Sequence, residues 1–142
     1  MIVAQINPIA GDLEGNLAKM YKIAEQCTTA PGETLIFPAY ALTGYPLGDL
    51  ACAKDFIVRV HEMVEKLFHN QHPVITAIPD GSGKATPVMV TEKGVQFGTK
   101  FTIIPGLTVA VSVGFEPVDC DGTDKLIIWM LNLIVLGELS KH

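Results

Sequence analysis

At 142 residues the chain is sized for one domain. Hydrophobic residues make up 49% and the mean hydropathy is +0.36, so a core is available and some apolar surface is expected to meet a protein partner. The net charge of −5 and pI near 5.2 argue against nucleic acid and anionic membrane surfaces as partners.

Three cysteines, Cys27, Cys52 and Cys120, are widely spaced and odd in number. No CxxC or Cys/His cluster occurs, so neither a zinc site nor a disulfide framework is indicated, and free thiols of a cytoplasmic protein are expected. Met1-Ile2-Val3-Ala4-Gln5 lacks the charged start of a signal peptide. The apolar stretch Leu126–Gly137 is about a dozen residues, short of the roughly 20 a spanning helix needs, and reads as a buried strand or an interface element.

Ile2 to Asn7 reads as a first strand, ended by Pro8 and Gly11. Asp12 is a plausible N-cap for a helix with Leu13, Leu17, Met20, Ile23 and Ala24 on one face, ending near Cys27. Pro31-Gly32 punctuates a turn, and Thr34-Leu35-Ile36-Phe37 is the second strand, broken by Pro38. A shaped loop, Ala39 to Pro46, follows, and Tyr40, Tyr45 and Phe37 read as packing it. A strand running into such a loop and then a helix is where α/β proteins place sites.

From Asp49 a second helix is expected, with Leu50, Phe56, Ile57, Val60, Met63, Val64 and Leu67 on its apolar face. His61, His69 and His72 lack ligand spacing to a carboxylate and read as solvated or capping residues, so no metal is predicted. Pro73 to Ile78 is a third strand. Asp80-Gly81-Ser82-Gly83-Lys84 lacks the full phosphate-loop spacing and reads as a surface hairpin loop. Val88–Thr91 and Val95–Gly98 form a hairpin turning at Lys93-Gly94, and Leu107–Val113 is a further strand. Strands alternating with helices indicate an α/β layered fold with a mixed sheet.

Phe37-Pro38-x-x-Ala41-Leu42-Thr43-Gly44-Tyr45-Pro46-x-x-Asp49-Leu50 resembles the loop after the second strand in the amidase domain of glutamine-dependent NAD synthetase, a branch of the nitrilase (carbon–nitrogen hydrolase) superfamily. Ile2-Val3-Ala4-Gln5-Ile6-Asn7-Pro8, then Gly11-Asp12-Leu13-x-Gly15-Asn16, resembles that family's opening strand and turn. The match is best over residues 1–50. It implies a single domain over 1–142, a reduced nitrilase-like αββα-type layered fold with helices on one sheet face. The other sheet face is expected to lie uncovered, and the apolar tail 126–142 is a possible interface element. Leu131-Asn132-Leu133 is similar to a strand of the family.

The resemblance also implies a Glu–Lys–Cys triad, in which a thiolate attacks an amide carbon, the Glu is the base and the Lys steadies the oxyanion. Carried over by position, the Glu falls on Ala39, whose methyl group accepts no proton. The Cys falls on Gly114, followed by Phe115. The Lys, which follows a hairpin in the family, falls on Lys100, which also reads as a solvated hairpin lysine. The expectation is a non-catalytic binding or assembly module without cofactor, forming a homo-oligomer or docking to another nitrilase or NAD synthetase-like protein. The alternative is an amidase with a rearranged site using Cys120 with Lys100 or Glu116.

Overall fold

The computed structural model describes residues 1–26, 32–69, 71–104 and 107–113, and the backbone of two later strands. Met1 to Gln26 begins with strand β1 (Ile2–Val3) and helix α1 (Leu13–Gln26). Strand β2 (Leu35–Ala39) follows, then a 3-10 turn over Gly48–Cys52 and helix α2 (Lys54–Val64). The remainder is β: β3 (Val74–Pro79), β4 (Ala85–Thr91), β5 (Gly94–Phe97), β6 (Lys100–Ile104), β7 (Leu107–Val113), β8 (Leu126–Met130) and β9 (Val135–Leu139).

The strands form two mixed sheets, ordered β1-β2-β3-β4-β5 and β6-β7-β8-β9. In the first, β1, β2 and β3 are parallel, and β4 and β5 return antiparallel. In the second, β7 and β8 are parallel, with antiparallel neighbours on either side.

Side-chain alternation along each strand divides the core in two. Leu35, Phe37, Val74, Ile78, Val88 and Val90 meet Leu13, Leu17 and Met20 of α1 and Phe56, Val60 and Val64 of α2. Ile36, Ile75 and Met89 look the other way and pack on Phe101, Val109 and Val111 of the second sheet. The layers therefore run helices, sheet, sheet. The first sheet's second face, expected to be bare, is covered, because β6 to β9 build a sheet of their own. Strand β6 (Lys100–Ile104) forms where the sequence pattern indicated none. The apolar tail is two strands, β8 and β9, while Leu131-Asn132-Leu133 lies outside the described residues.

Helix α1 starts as its sequence dictates: Asp12 Oδ1 accepts the Gly15 N–H at 3.1 Å, one of the donors a helix N-terminus leaves unpaired. The second helix does not run unbroken from Asp49. Ala53 is extended (φ −76°, ψ 114°), its N–H closing a 3-10 turn on the Leu50 carbonyl at 3.1 Å. The first strand is also shorter than its apolar pattern. Pairing with β2 ends with the Ala4 N–H on the Ile36 carbonyl at 2.9 Å, and further on the Asn7 carbonyl and both backbone groups of Ile9 turn to side chains of α1.

Asn16 is the chief of those side chains. It is fully buried. Its Oδ1 accepts the Ile9 N–H at 2.8 Å, and its Nδ2 donates to the Ile9 carbonyl at 2.8 Å and to the Leu42 carbonyl at 2.9 Å. One amide thus joins the β1 loop, α1 and the loop after β2. Asn16→Ala should destabilise the chain by about 2–4 kcal/mol, since it leaves buried backbone groups without partners. Urea unfolding would show this as a lower midpoint at unchanged m-value. Lys19→Ala, which removes only an exposed bond to the Asn7 carbonyl, should stay within about 0.5 kcal/mol.

Candidate functional site

The candidate site is the end of β2 and the loop after it. Pro38 does not stop β2, because β2 carries a bulge where Pro38 sits. Ile36 pairs with Ile75 and Ala39 with Ala77, so three steps on β2 oppose two on β3. The extra residue absorbs a proline that has no N–H for a ladder. The Pro38 carbonyl is satisfied by the Thr76 hydroxyl at 2.9 Å and the Ala41 N–H at 3.2 Å.

The bulge also changes the phase of the strand. Strict alternation would put Ala39 on the helix side with Leu35 and Phe37. Instead Ala39 is fully buried between the sheets, packed with Ile36, Ile75, Ala77, Met89, Phe101, Val109 and Val111. Residue 39, which the sequence resemblance sets at the place of a triad base, therefore presents a methyl group to an apolar interior.

Beyond Ala39 the chain makes a tight loop. Tyr40 has φ +63°, uncommon for a residue with a Cβ. Its N–H donates to the Ala77 carbonyl at 3.2 Å, and its carbonyl accepts the Gly44 N–H at 2.7 Å. Gly44 (φ +78°) is required here: a Cβ would lie 2.5 Å from the Ala10 backbone. The Gly11 N–H donates to the Thr43 carbonyl at 2.8 Å, closing one loop on the other. The Tyr45–Pro46 peptide is cis.

Tyr40 and Tyr45 touch, with ring centroids 5.1 Å apart and planes tilted by 43°. Tyr40 is half-buried, but Tyr45 is 47% exposed and packs less of the loop than expected. Burial pushes the Tyr40 phenol up, and the nearby Tyr45 and Asp80 push it further. Asp80 follows β3. Partial burial would raise its carboxyl, but the Ser82 hydroxyl (2.7 Å) and N–H (2.8 Å) on Oδ1 hold it below the usual range, helped by the backbone at Lys84. The turn from Asp80 to Lys84 is the expected hairpin loop, joining β3 to β4. Nothing local in the sequence signals that the charge of Asp80 acts on Tyr40, since it is the pairing of β2 with β3 that sets both at one end of the sheet.

Lys100 opens β6, half-buried, with its Cα opposite Ala110. Its neighbour Phe101 faces Ala39 between the sheets, so alternation sets Lys100 on the other face of β6. Gly114, Phe115, Glu116 and Cys120 lie outside the described residues. Cys52 is an exposed free thiol.

The histidines have varied surroundings. His61 is exposed beside the Phe97 ring, 5.9 Å between centroids. His69 stacks on Tyr21 at 4.0 Å and meets Glu25 at 3.2 Å. His72 departs from the solvated reading: it is 2% exposed, with Nδ1 2.8 Å from the Glu33 carbonyl. Two surface clefts lie away from the β2 loop. One of about 400 Å³ runs between α1 and α2, past Tyr21, Arg59 and Met63, and one of about 480 Å³ is bordered by Phe68, Gln71 and Glu92.

No family model matches the chain. Over 64 residues, 45% of the chain, it is 34% identical to glutamine-dependent NAD(+) synthetase of Thermotoga maritima. The same enzyme of Synechocystis is 31% identical over 85 residues, 60% of the chain, and that of Aquifex aeolicus 29% over 80 residues, 55% of the chain. This chain is NAD synthetase-like. The matched stretches span only 11%, 15% and 14% of those relatives. The crystal structure of a glutamine-dependent NAD(+) synthetase from Cytophaga hutchinsonii superposes on the chain with a TM-score of 0.74 at 13% identity. It covers 91% of this chain and 30% of that one. At that identity the likeness is one of fold, and the fold is the nitrilase-like layering read from the first 50 residues.

Ala39→Glu should test how apolar the bulge position is in this synthetase-like fold. The new carboxyl would be held neutral by burial, its folded-state pKa raised above the unfolded value. The folded state then binds more protons, so the penalty is small below about pH 4 and grows as pH rises. At pH 7 a loss of roughly 2–4 kcal/mol is expected in chemical denaturation. A loss that does not vary with pH would show that the carboxyl reaches solvent.

Proposed function

We propose that this chain is a catalytically silent relative of the NAD synthetase amidase domain, acting as a binding and assembly module. The observation that carries this reading is Ala39, fully buried among apolar side chains at the position matched to the general base. Nothing with a lone pair stands there to take a proton from a thiol. The placement of Lys100 on the far face of β6 from Phe101 supports the same reading. The partner is a second copy or another nitrilase or NAD synthetase-like chain. The 49% hydrophobic content supports a protein partner, and the net charge of −5 speaks against nucleic acid. Cytoplasmic residence, with free thiols, belongs to the same reading.

Incubation with glutamine, followed by assay of ammonia and mass spectrometry of the protein, tests the silence. The expected result is no ammonia above buffer and no acyl adduct, identically for the wild type, Lys100→Ala and Cys120→Ala. Ammonia release that Cys120→Ala abolishes would instead establish the rearranged amidase. Light scattering over a range of concentrations tests assembly. A dimer or larger species is expected, and a monomer throughout would sink the self-association half of the proposal.

A further inference from the structure

We infer that β5, the outer strand of the first sheet, is the surface through which the chain pairs with a second copy of itself, strand to strand. This rests on the reading of the chain as an assembly module and names its contact. Among the described residues β5 pairs only with β4, so its other edge meets solvent. Gly94, Gln96 and Phe97 are exposed and Val95 is half-buried. The other three edges of the described sheets are blunted in ways that hinder such pairing. Strand β1 is two residues long. Strand β6 begins with Lys100 and shifts register between Thr102 and Ile104, and β9 contains Glu138. Strand β5 has no charge, no proline and no register shift.

The register with β4 decides which backbone groups are open. Residues of an antiparallel strand turn their N–H and carbonyl alternately to one neighbour and the other. The Gly98 N–H donates to the Pro87 carbonyl at 3.3 Å, and Gly94 lies opposite Thr91 across the turn, so Gly94, Gln96 and Gly98 face β4. Val95 and Phe97 therefore turn two N–H groups and two carbonyls outward. A second β5, antiparallel about a two-fold axis at Gln96, sets Val95 opposite Phe97 of the second copy and closes these groups into four hydrogen bonds. A register moved by one residue meets groups already in use. Centred on Val95 it calls on the Lys93 N–H, which donates to Thr91 Oγ1 at 3.1 Å. Centred on Phe97 it calls on the Thr99 carbonyl, which accepts the Val111 N–H at 2.7 Å. The open groups thus match a copy of the same strand bond for bond.

The side chains add an apolar rim. The Phe97 ring is 50% exposed beside His61 of α2, and Val58, three residues earlier on that flank of the helix, is 49% exposed. Arg59 reaches Glu14 of α1, so α2 has α1 on one side and β5 on the other. Pairing about Gln96 sets each Phe97 against Val95 of the second copy on one face of the joined sheet. Four strand residues span only about 14 Å, and a stable complex buries about 800 Å² on each partner. The dimer is therefore transient, with a Kd on the order of 100 µM.

Amide hydrogen exchange of the 15N-labelled full chain at about 50 µM and about 1 mM, beside light scattering, tests the contact. The Val95 and Phe97 amides should exchange about threefold more slowly in the concentrated sample, while Gly94 and Gln96, which face β4, show no such dependence. Phe97→Lys removes the ring and sets like charges near the axis, and should weaken dimerisation at least about tenfold. Phe97→Pro deletes one outward N–H in each copy, leaves the β4 ladder intact and should abolish dimerisation. Residue 97 is exposed, so the amide spectrum of Phe97→Lys should remain that of the folded chain. Assembly in which Val95 and Phe97 stay unprotected, or which Phe97→Lys leaves unchanged, would overturn the β5 contact and leave assembly itself standing. A chain monomeric at both concentrations would overturn both.

Discussion

A single extra residue in β2 sets the geometry on which the rest of the site depends. Three steps from Ile36 to Ala39 face two from Ile75 to Ala77. Because side chains alternate along a strand, one inserted residue exchanges the two faces for everything after it. Leu35 and Phe37 serve the helix-side core before the bulge, and Ala39 serves the inter-sheet core after it. The same insertion makes room for Pro38 in an internal strand and frees its carbonyl for the Thr76 hydroxyl.

The loop that leaves the bulge is held by polar bonds as well as by the buried side chains of Ala41, Leu42 and Leu47. Asn16 satisfies both backbone groups of Ile9 and the Leu42 carbonyl, so two loops and a helix share one buried amide. Gly44 lets the second loop touch the first at Ala10, where any Cβ would collide with backbone. Groups that would be costly to bury alone are paired across segments far apart in sequence. Tyr40 can be held in its left-handed conformation because bonds on both sides prevent relaxation.

The arrangement separates architecture from chemistry. The bulge turns residue 39 toward the space between the sheets, and the side chain it turns is a methyl group. A fold shared with a synthetase at 13% identity carries layers and strand order, while activity depends on particular atoms. At residue 39 this chain offers a buried methyl group and no lone pair.

The local grammar of the chain was legible without coordinates. Asp12 before an apolar stripe at spacings of three and four gave α1, and the alternation of Leu107–Val113 and of the residues around Lys93-Gly94 gave β7 and the β4–β5 hairpin. The Phe-Pro and Leu-Thr-Gly-Tyr-Pro run marked the candidate loop and its family likeness. These features are legible because capping, periodicity and turn chemistry act between residues a few positions apart. Three things were decided only by the tertiary structure. Pro38 lies within β2, since a bulge is defined by pairing with β3 and not by β2 alone. The second helix breaks at Ala53, an alanine with no breaker signal, where a 3-10 turn ends and α2 begins. Lys100–Ile104 becomes a strand because strands distant in sequence pair and stack. Such contacts depend on which surfaces exclude water together, and no short window of sequence contains both partners.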